Sequence, residues 1–584
     1  MSDSLCSHFN RRVAELGTTV AIRRADDDST ITWAEYGTRV RELTAGLSAM
    51  GVRRGDVVGL MLTNRPEFHL IDAAVMHLGA ISFSVYNTSS IDQITYLFSN
   101  AEPTLVFTEN QFYDKVRAAA AATDLESVVC VDGSQSPTLD DVVAAGDPTF
   151  DFEAAWKAVQ PDDVLTLIYT SGTTGNPKGV ELTHANLLYQ LEVINGVIDG
   201  LPGGRVISYL PDAHLINRWI CQYAPMYFGI TVTDLDNPKA LIGALGTVRP
   251  TFFVAVPMLW YKMKGNIELT IAGQTGLKGV LARAALSAGK KKAAATIAGT
   301  SLNRVDALLA TVADKLVMSK LRAKLGFDEV QSAVSGAAPI DLATLEFMLA
   351  VGIPVMEAWG MSETSAVTTV NPIGSPRFGT VGKAIPGTEV ALASDGEVLV
   401  RGSGVMKGYR KDPTRTAETL DSGGWIHTGD IGTLDTHGYL RIIDRKKELI
   451  INSGGKNMSP SNIEGALKAA SPLIGSVVAI GDNRPYVAAL ITLDPEAIAL
   501  FAQQHGIADP TPEEAAVLPA VHETITTAVE AANKRLSRVE SIRSWQILPT
   551  YWLPGGEELT PTMKLKRVPI GQKYADSIES LYSK

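Results

Sequence analysis

The chain has 584 residues, 45% of them hydrophobic, with 52 Lys+Arg against 63 Asp+Glu and a formal charge of −11. That length supports large buried cores, about four folding units at a usual domain size, and 51 Gly with 29 Pro exclude collagen-like and disordered chains. The acidic balance argues against a general nucleic-acid binder. Cys6, Cys130 and Cys221 lie far apart with no Cys-x-x-Cys pair, which excludes a disulfide scaffold or cysteine-rich zinc site and fits a reducing compartment. The N-terminal MSDSLCSHFNRRVAEL lacks a signal-peptide apolar run, and stretches such as 251–260 fall well short of the ~20 residues that cross a bilayer. A cytoplasmic protein is expected, at most peripheral to a membrane.

Short β-rich runs at 57–62 (VVGLML), 80–85, 105–108 (LVFT) and 128–131 (VVCV) alternate with helical patterns such as 68–77 (FHLIDAAVMH). The alternation predicts an α/β fold of doubly wound subdomains on parallel sheets. A further strand, 164–169 (VLTLIY), feeds a glycine-rich segment, and 206–210 and 252–256 continue the rhythm. From 277 to 325 the sequence turns Ala-, Leu- and Lys-rich, predicting one or two long helices. Their basic run Lys290, Lys291 and Lys292 reads either as a solvated face or as a membrane- or partner-binding patch. Between 379 and 438, glycines and short strands such as 397–401 (EVLVR) predict a small antiparallel β-barrel, which a strand at 438–443 (GYLRII) closes. The charged segment 444–448 (DRKKE), expected to be exposed, divides a large body, 1–443, from a small mobile α+β domain, 444–584.

The chemistry concentrates in 169–179, YTSGTTGNPKG. Gly172, Gly175 and Gly179, with the hydroxyls of Thr170, Ser171, Thr173 and Thr174, surround Lys178. Glycines admit the backbone to an anion, hydroxyls and N–H groups donate to phosphate oxygens, and lysine adds a point charge. The spacing differs from the Walker A loop, and Gly402, Gly404 and Gly408 likewise miss the dinucleotide fingerprint. Glu363, beside Gly360 and Ser362, offers Mg²⁺ a hard oxygen if it faces this loop; otherwise it is a solvated or capping carboxylate. Lys564, flanked by Lys566 and Arg567, reads by itself as a solvated lysine.

The segment 169–179 resembles the phosphate-loop signature of the adenylate-forming superfamily of acyl-CoA synthetases, adenylation domains and luciferase. Other segments follow in that family's order. The run 335–340 (SGAAPI) is similar to its adenine-side strand and turn, and 357–364 (EAWGMSET) to its aromatic-Gly-x-Thr/Ser-Glu motif. The run 424–430 (GWIHTGD) is similar to the ribose motif, 444–448 to the hinge, and 560–567 (TPTMKLKR) to the catalytic-lysine segment of long-chain fatty acyl-CoA synthetases.

The resemblance implies an ATP site made by Thr170, Ser171, Gly172, Thr173, Thr174 and Gly175, by Gly336 and Ala337, by Trp359, Gly360 and Ser362, and by Asp430 and Arg445. It implies Mg²⁺ on Glu363 and the Ser171 hydroxyl, with Lys178, Glu363, His214 and Lys564 as catalytic groups. Trp359, where many relatives carry tyrosine, keeps a face for adenine but lacks the phenol. Asp430 accepts from the ribose hydroxyls, while Arg445 reaches ribose or phosphate or is a surface hinge charge. Lys564 offsets repulsion between the reacting carboxylate and the α-phosphate, so the small domain must close over the body. His214 either orients the acyl carboxylate or is a satisfied structural histidine, and His184 is read as structural. Asp212, where relatives more often have an apolar residue, either narrows or polarises the acyl entrance. Trp219, Tyr223, Met226 and Phe228 wall an apolar tunnel or fill the core, and Gly454–Gly455 resemble a turn near the thiol tunnel. The implied activity converts a long-chain fatty acid to acyl-adenylate and then to a CoA thioester, releasing pyrophosphate and AMP. The alternatives are an acyl-AMP ligase loading a carrier protein and a non-catalytic nucleotide-binding scaffold.

Overall fold

The computed structural model describes residues 3–27, 29–133, 135, 137–170, 176–373, 375–452, 456–560 and 563–583. The apolar runs of the first half are strands buried on both faces. Val57–Met61 lies between Ile81–Ser84 and Pro103–Thr108, with Ser127–Cys130 beyond the latter and Val164–Thr170 beyond the former, all parallel. Such strands read as continuous hydrophobic stretches because helices cover both sides of the sheet. Helix Pro66–His77 starts on a proline, whose fixed φ suits that position, and buries every residue but Glu67.

This sheet ends in two antiparallel strands that the alternating pattern does not announce. Lys178–Thr183 folds back on Val164–Thr170, and Gly408–Tyr409 pairs outside it. A second sheet carries Thr30–Thr32, Val20–Arg24, Thr231–Asp234 and Arg205–Ser208. In a third, Phe252–Ala255, Ser332–Ser335 and Val355–Trp359 run parallel, followed by antiparallel Thr369–Val370 and Lys383–Ala384. The expected barrel is a curled half-barrel of four antiparallel strands, Thr388–Leu392, Glu397–Gly402, Ile426–Leu434 and Leu440–Arg445. The long helical stretch resolves into Gly276–Ile297 and Arg304–Ala313, the latter continuing through a π turn, Asp314–Met318, into Ser319–Leu325.

The C-terminal unit has its own core, including Ile463, Val477, Ile491 and Ile525, around strands Ile474–Ile480, Val487–Leu493 and Ile542–Ile547. The segment expected to be exposed begins with a buried residue. Strand Leu440–Arg445 runs through the 443/444 position, and Asp444 is buried. Its carboxylate accepts from Ser459 Oγ (2.6 Å), the Ser461 N–H (3.0 Å), Ser461 Oγ (3.1 Å) and the Arg445 N–H (2.7 Å). A carboxylate supplied with that many donors tolerates removal from water.

Candidate functional site

Thr170 ends its strand opposite Lys178, which begins the next, so the two flank the glycine-rich segment. Ser171, Gly172, Thr173, Thr174 and Gly175 lie outside the described residues, as do Gly454 and Gly455. Lys178 Nζ sits 4.7 Å from the centre of the Tyr409 ring. The Tyr409 hydroxyl donates to Glu363 Oε1 at 2.9 Å. Burial, and then the Glu363 charge, hold that phenol in its protonated, donating form. Tyr409 thus links the loop lysine to the carboxylate expected to bind metal. The sequence reading passed over it because its strand is two residues long, too short to show a period.

Glu363 lies in the turn Ser362–Thr364 and is buried. The turn is held tightly against the chain that follows: a Cβ on Gly360 would lie 1.9 Å from the Ala366 carbonyl oxygen. Oε2 of Glu363 receives no hydrogen bond from a described residue, and no described cluster of three His, Cys, Asp or Glu side chains forms a metal cage. A lone carboxylate with an open oxygen fits Mg²⁺, which keeps its waters and binds one or two carboxylates together with substrate phosphates. Across the third sheet, Gly336 and Ala337 follow strand Ser332–Ser335, and Ala337 has φ 69°, a left-handed conformation that costs a residue with a Cβ.

Trp359, Asp430 and Arg445 meet. The Trp359 indole N–H donates to Asp430 Oδ2 at 2.8 Å. Arg445 Nε reaches Oδ1 at 2.7 Å, and the two residues face each other across the half-barrel ladder. Burial raises the Asp430 carboxyl pKa, while Arg445, the indole and Lys564 oppose the rise. Each oxygen keeps a second lone pair, so the clamped carboxylate can still accept from hydroxyls.

Three cations crowd the C-terminal hairpin, and their partners separate them. Arg567 pairs with Glu464 (2.7 Å) and Glu448 (3.2 Å), and Lys566 Nζ donates to the Gly556 carbonyl at 2.8 Å. Both are spent within the C-terminal unit or on the 444–448 segment. Lys564 is held by backbone bonds of its own turn: its carbonyl accepts from the Thr560 N–H at 2.8 Å, and its N–H donates to Thr560 Oγ1 at 3.0 Å. The residue is exposed, yet neighbouring protein crowds its side chain. Desolvation there lowers its pKa, Arg445 lowers it further, and Asp430, Glu363 and Glu448 oppose. Lys564 therefore lies within the electrostatic field of three residues expected at the nucleotide.

His214 joins the same group. The Ile216 N–H can only donate, and it reaches His214 Nδ1 at 3.2 Å. Nδ1 is therefore the acceptor, and the ring proton sits on Nε2. Burial, and then Lys564, lower this imidazole to about 4, so it is neutral near pH 7. His184 is buried far from this group, its Nδ1 accepting from the Leu5 N–H at 3.3 Å. Asp212 is buried too and bonded to Asn217 Nδ2 at 2.7 Å, with burial raising its carboxyl to about 7. Trp219, Tyr223, Met226 and Phe228 fill the main core.

Residues 9–410 match the profile described as AMP-binding enzyme, and residues 447–584 that of the AMP-binding enzyme C-terminal domain. The chain is 51% identical over 443 residues to the Mycobacterium tuberculosis protein fadD11, covering 75% of this chain and 77% of that one. It is 36% identical over 565 residues to the long-chain-fatty-acid–CoA ligase FadD15 of Mycobacterium bovis, covering 95% and 92%. The adenylation domain of a carboxylate reductase from Mycobacterium chelonae shares the fold, with TM-score 0.76 at 19% identity over 100% of this chain and 91% of that one.

Proposed function

Since the chain belongs to the AMP-binding enzyme family, we propose that it activates a long-chain fatty acid with ATP and transfers the acyl group to CoA. The observation that carries this reading is a pair of bonded clusters, Lys178–Tyr409–Glu363 and Trp359–Asp430–Arg445, whose carboxylates both face the charge of Lys564 from the C-terminal unit. The relative named as a long-chain-fatty-acid–CoA ligase supports the acyl and thiol substrates.

In this mechanism residues 1–443 form the body and 444–584 the lid. Trp359 packs against adenine while Asp430 accepts from the ribose. His214 Nε2–H and Lys564 hold the fatty carboxylate beside the α-phosphorus. A carboxylate oxygen attacks, the bond to the pyrophosphate oxygen breaks, and acyl-adenylate and pyrophosphate result. Lys564 and Lys178 offset charge that grows on the phosphate oxygens, where preoriented cations lower the barrier most. Mg²⁺, held by Glu363 and the Ser171 hydroxyl, supplies Lewis-acid neutralisation of the phosphates when bound. The lid then turns to admit CoA, whose thiolate attacks the acyl carbonyl and expels AMP.

The test is a chain-length series of fatty acids assayed for pyrophosphate release and, with CoA present, for acyl-CoA. Long chains should give both products. Pyrophosphate without acyl-CoA at every length would transfer the acyl group to another acceptor, such as a carrier protein, and neither product would remove the reading.

A further inference from the structure

Helix Gly276–Ile297 is unusual for a helix in water: its fully buried residues are all small, and three of its large ones stand exposed, although Leu286 packs against the core. Gly279, Ala282, Ala285 and Ala293 face protein. Gly289 crosses helix Leu342–Val351 so closely that a Cβ would lie 2.1 Å from the Ala350 carbonyl oxygen. On the other side stand Leu277, 76% exposed, with Val280 and Leu281. Helix Arg304–Ala313 repeats the pattern, burying only Ala310 and exposing Val305, Leu308, Leu309 and Val312. Of 23 large hydrophobic side chains exposed among the described residues, nine fall within 269–316. An apolar concentration of this kind on a surface marks an interaction site.

The charge of the same stretch is opposite to that of the protein. Residues 273–325 hold ten Lys or Arg and two Asp, a net +8 within a chain of −11. Both aspartates are engaged, Asp306 with Lys291 at 2.9 Å and Asp314 with Arg322 at 2.6 Å. The surface on offer is thus apolar with a cationic surround.

We propose that this helical hairpin docks on an anionic lipid bilayer, its leucines and valines entering the acyl boundary and its lysines meeting the headgroups. That arrangement is the one by which amphipathic helices lie in a membrane interface. A second copy docking through the same hairpin is a poorer occupant, because it would set +8 against +8. The groups of the nucleotide cluster take no part, so docking stands independently of the proposed reaction.

Flotation of the full chain with phosphatidylcholine vesicles, with and without phosphatidylglycerol, tests it without turnover. Binding is expected to the mixed vesicles only and to be lost in high salt. K290Q/K292Q, which spares the Lys291 pair, should lower the partition coefficient about 30-fold, from about fivefold per lysine. L308S/L309S should abolish binding at low salt, with unchanged circular dichroism and unchanged turnover of a water-soluble short acid. Equal binding to neutral vesicles, absence of binding to mixed ones, or indifference to both double variants overturns the proposal. So does a dimer in analytical ultracentrifugation that L308S/L309S dissolves, which would make the hairpin a self-interface.

Discussion

The indole N–H of Trp359 donates to Asp430 Oδ2 at 2.8 Å, tying the last residue of a parallel strand to the half-barrel. The carboxylate is buried, so the bond fixes the direction in which its free lone pairs point. Trp359→Phe keeps an aromatic face and removes the donor. A hydrogen bond to a charged group contributes about 1.5–3 kcal/mol, so KM for ATP should rise at least about tenfold, with kcat little changed. Unaltered KM in steady-state kinetics would refute the clamp.

Lys564→Ala should slow pyrophosphate formation by about 10²–10³, the usual effect of removing one preoriented charge-stabilising group. Thioester formation from supplied acyl-adenylate should survive, which separates a lost cation from a misfolded lid. Desolvation, and then the Arg445 charge, lower the lysine pKa from 10.5. In the proposed mechanism the cationic form is the active one, so activity should fall with rising pH before an ordinary lysine would titrate. Lys564→Arg should move that alkaline limb upward in a pH–rate profile.

His214 is depressed to about 4 and so stays neutral across the physiological range. The pH–rate profile of adenylation should therefore show no acid limb near the ordinary imidazole pKa of about 6.5. An acid limb there that vanishes in His214→Asn would contradict the neutral, Nε2-protonated assignment.

Tyr409→Phe removes the hydroxyl that bonds Glu363 Oε1 and leaves the ring under Lys178. Partners that orient a metal-binding carboxylate are typically worth about 10–100-fold in metal affinity. The Mg²⁺ concentration giving half-maximal activity should rise by about tenfold, while apparent affinity for the fatty acid holds. Magnesium titration of the variant against the parent measures this directly.

Glu357 accepts from the Gly379 N–H at 3.0 Å, and burial raises its carboxyl from 4.5 to about 8. The folded state thus holds a proton that the unfolded state releases between those values. Stability from this group is complete below about 4.5 and declines as pH rises toward about 8. Glu357→Gln should therefore gain Tm relative to the parent as pH is raised across that interval, in paired calorimetric scans. Parallel Tm curves would place the Glu357 pKa in the ordinary range.

What could be read from sequence depended on how local the cause was. The buried parallel strands were legible because burial on both faces writes unbroken apolar runs such as 57–61. Thr170 and Lys178 sit next to their motif in the chain, and the structure sets them opposite each other. The segment 444–448 is exposed at Arg445, Lys446 and Lys447 as expected, but Asp444 is buried, because nothing near it in sequence shows that Ser459 and Ser461 will surround its carboxylate. Tyr409 was missed for a related reason: its worth lies in Glu363, 46 residues away, and in a sheet edge that no periodicity announces. The helical hairpin was visible as composition, but which faces of its helices carried the leucines needed coordinates.

The pairing of Asp430 with Arg445 lies across the boundary proposed at 443/444. A boundary there would encode the two partners of this ion pair on opposite sides. A body cut after residue 443 would keep Asp430 and lose the Arg445 guanidinium, while Asp444 would stay with Ser459 and Ser461 but lose the rest of its strand. Neither piece would be a module that can be shuffled intact into another chain. A cut just beyond Arg445 would keep the Asp430–Arg445 pair but part Asp444 from Ser459 and Ser461, so a swapped lid should succeed only when it brings serines that match Asp444.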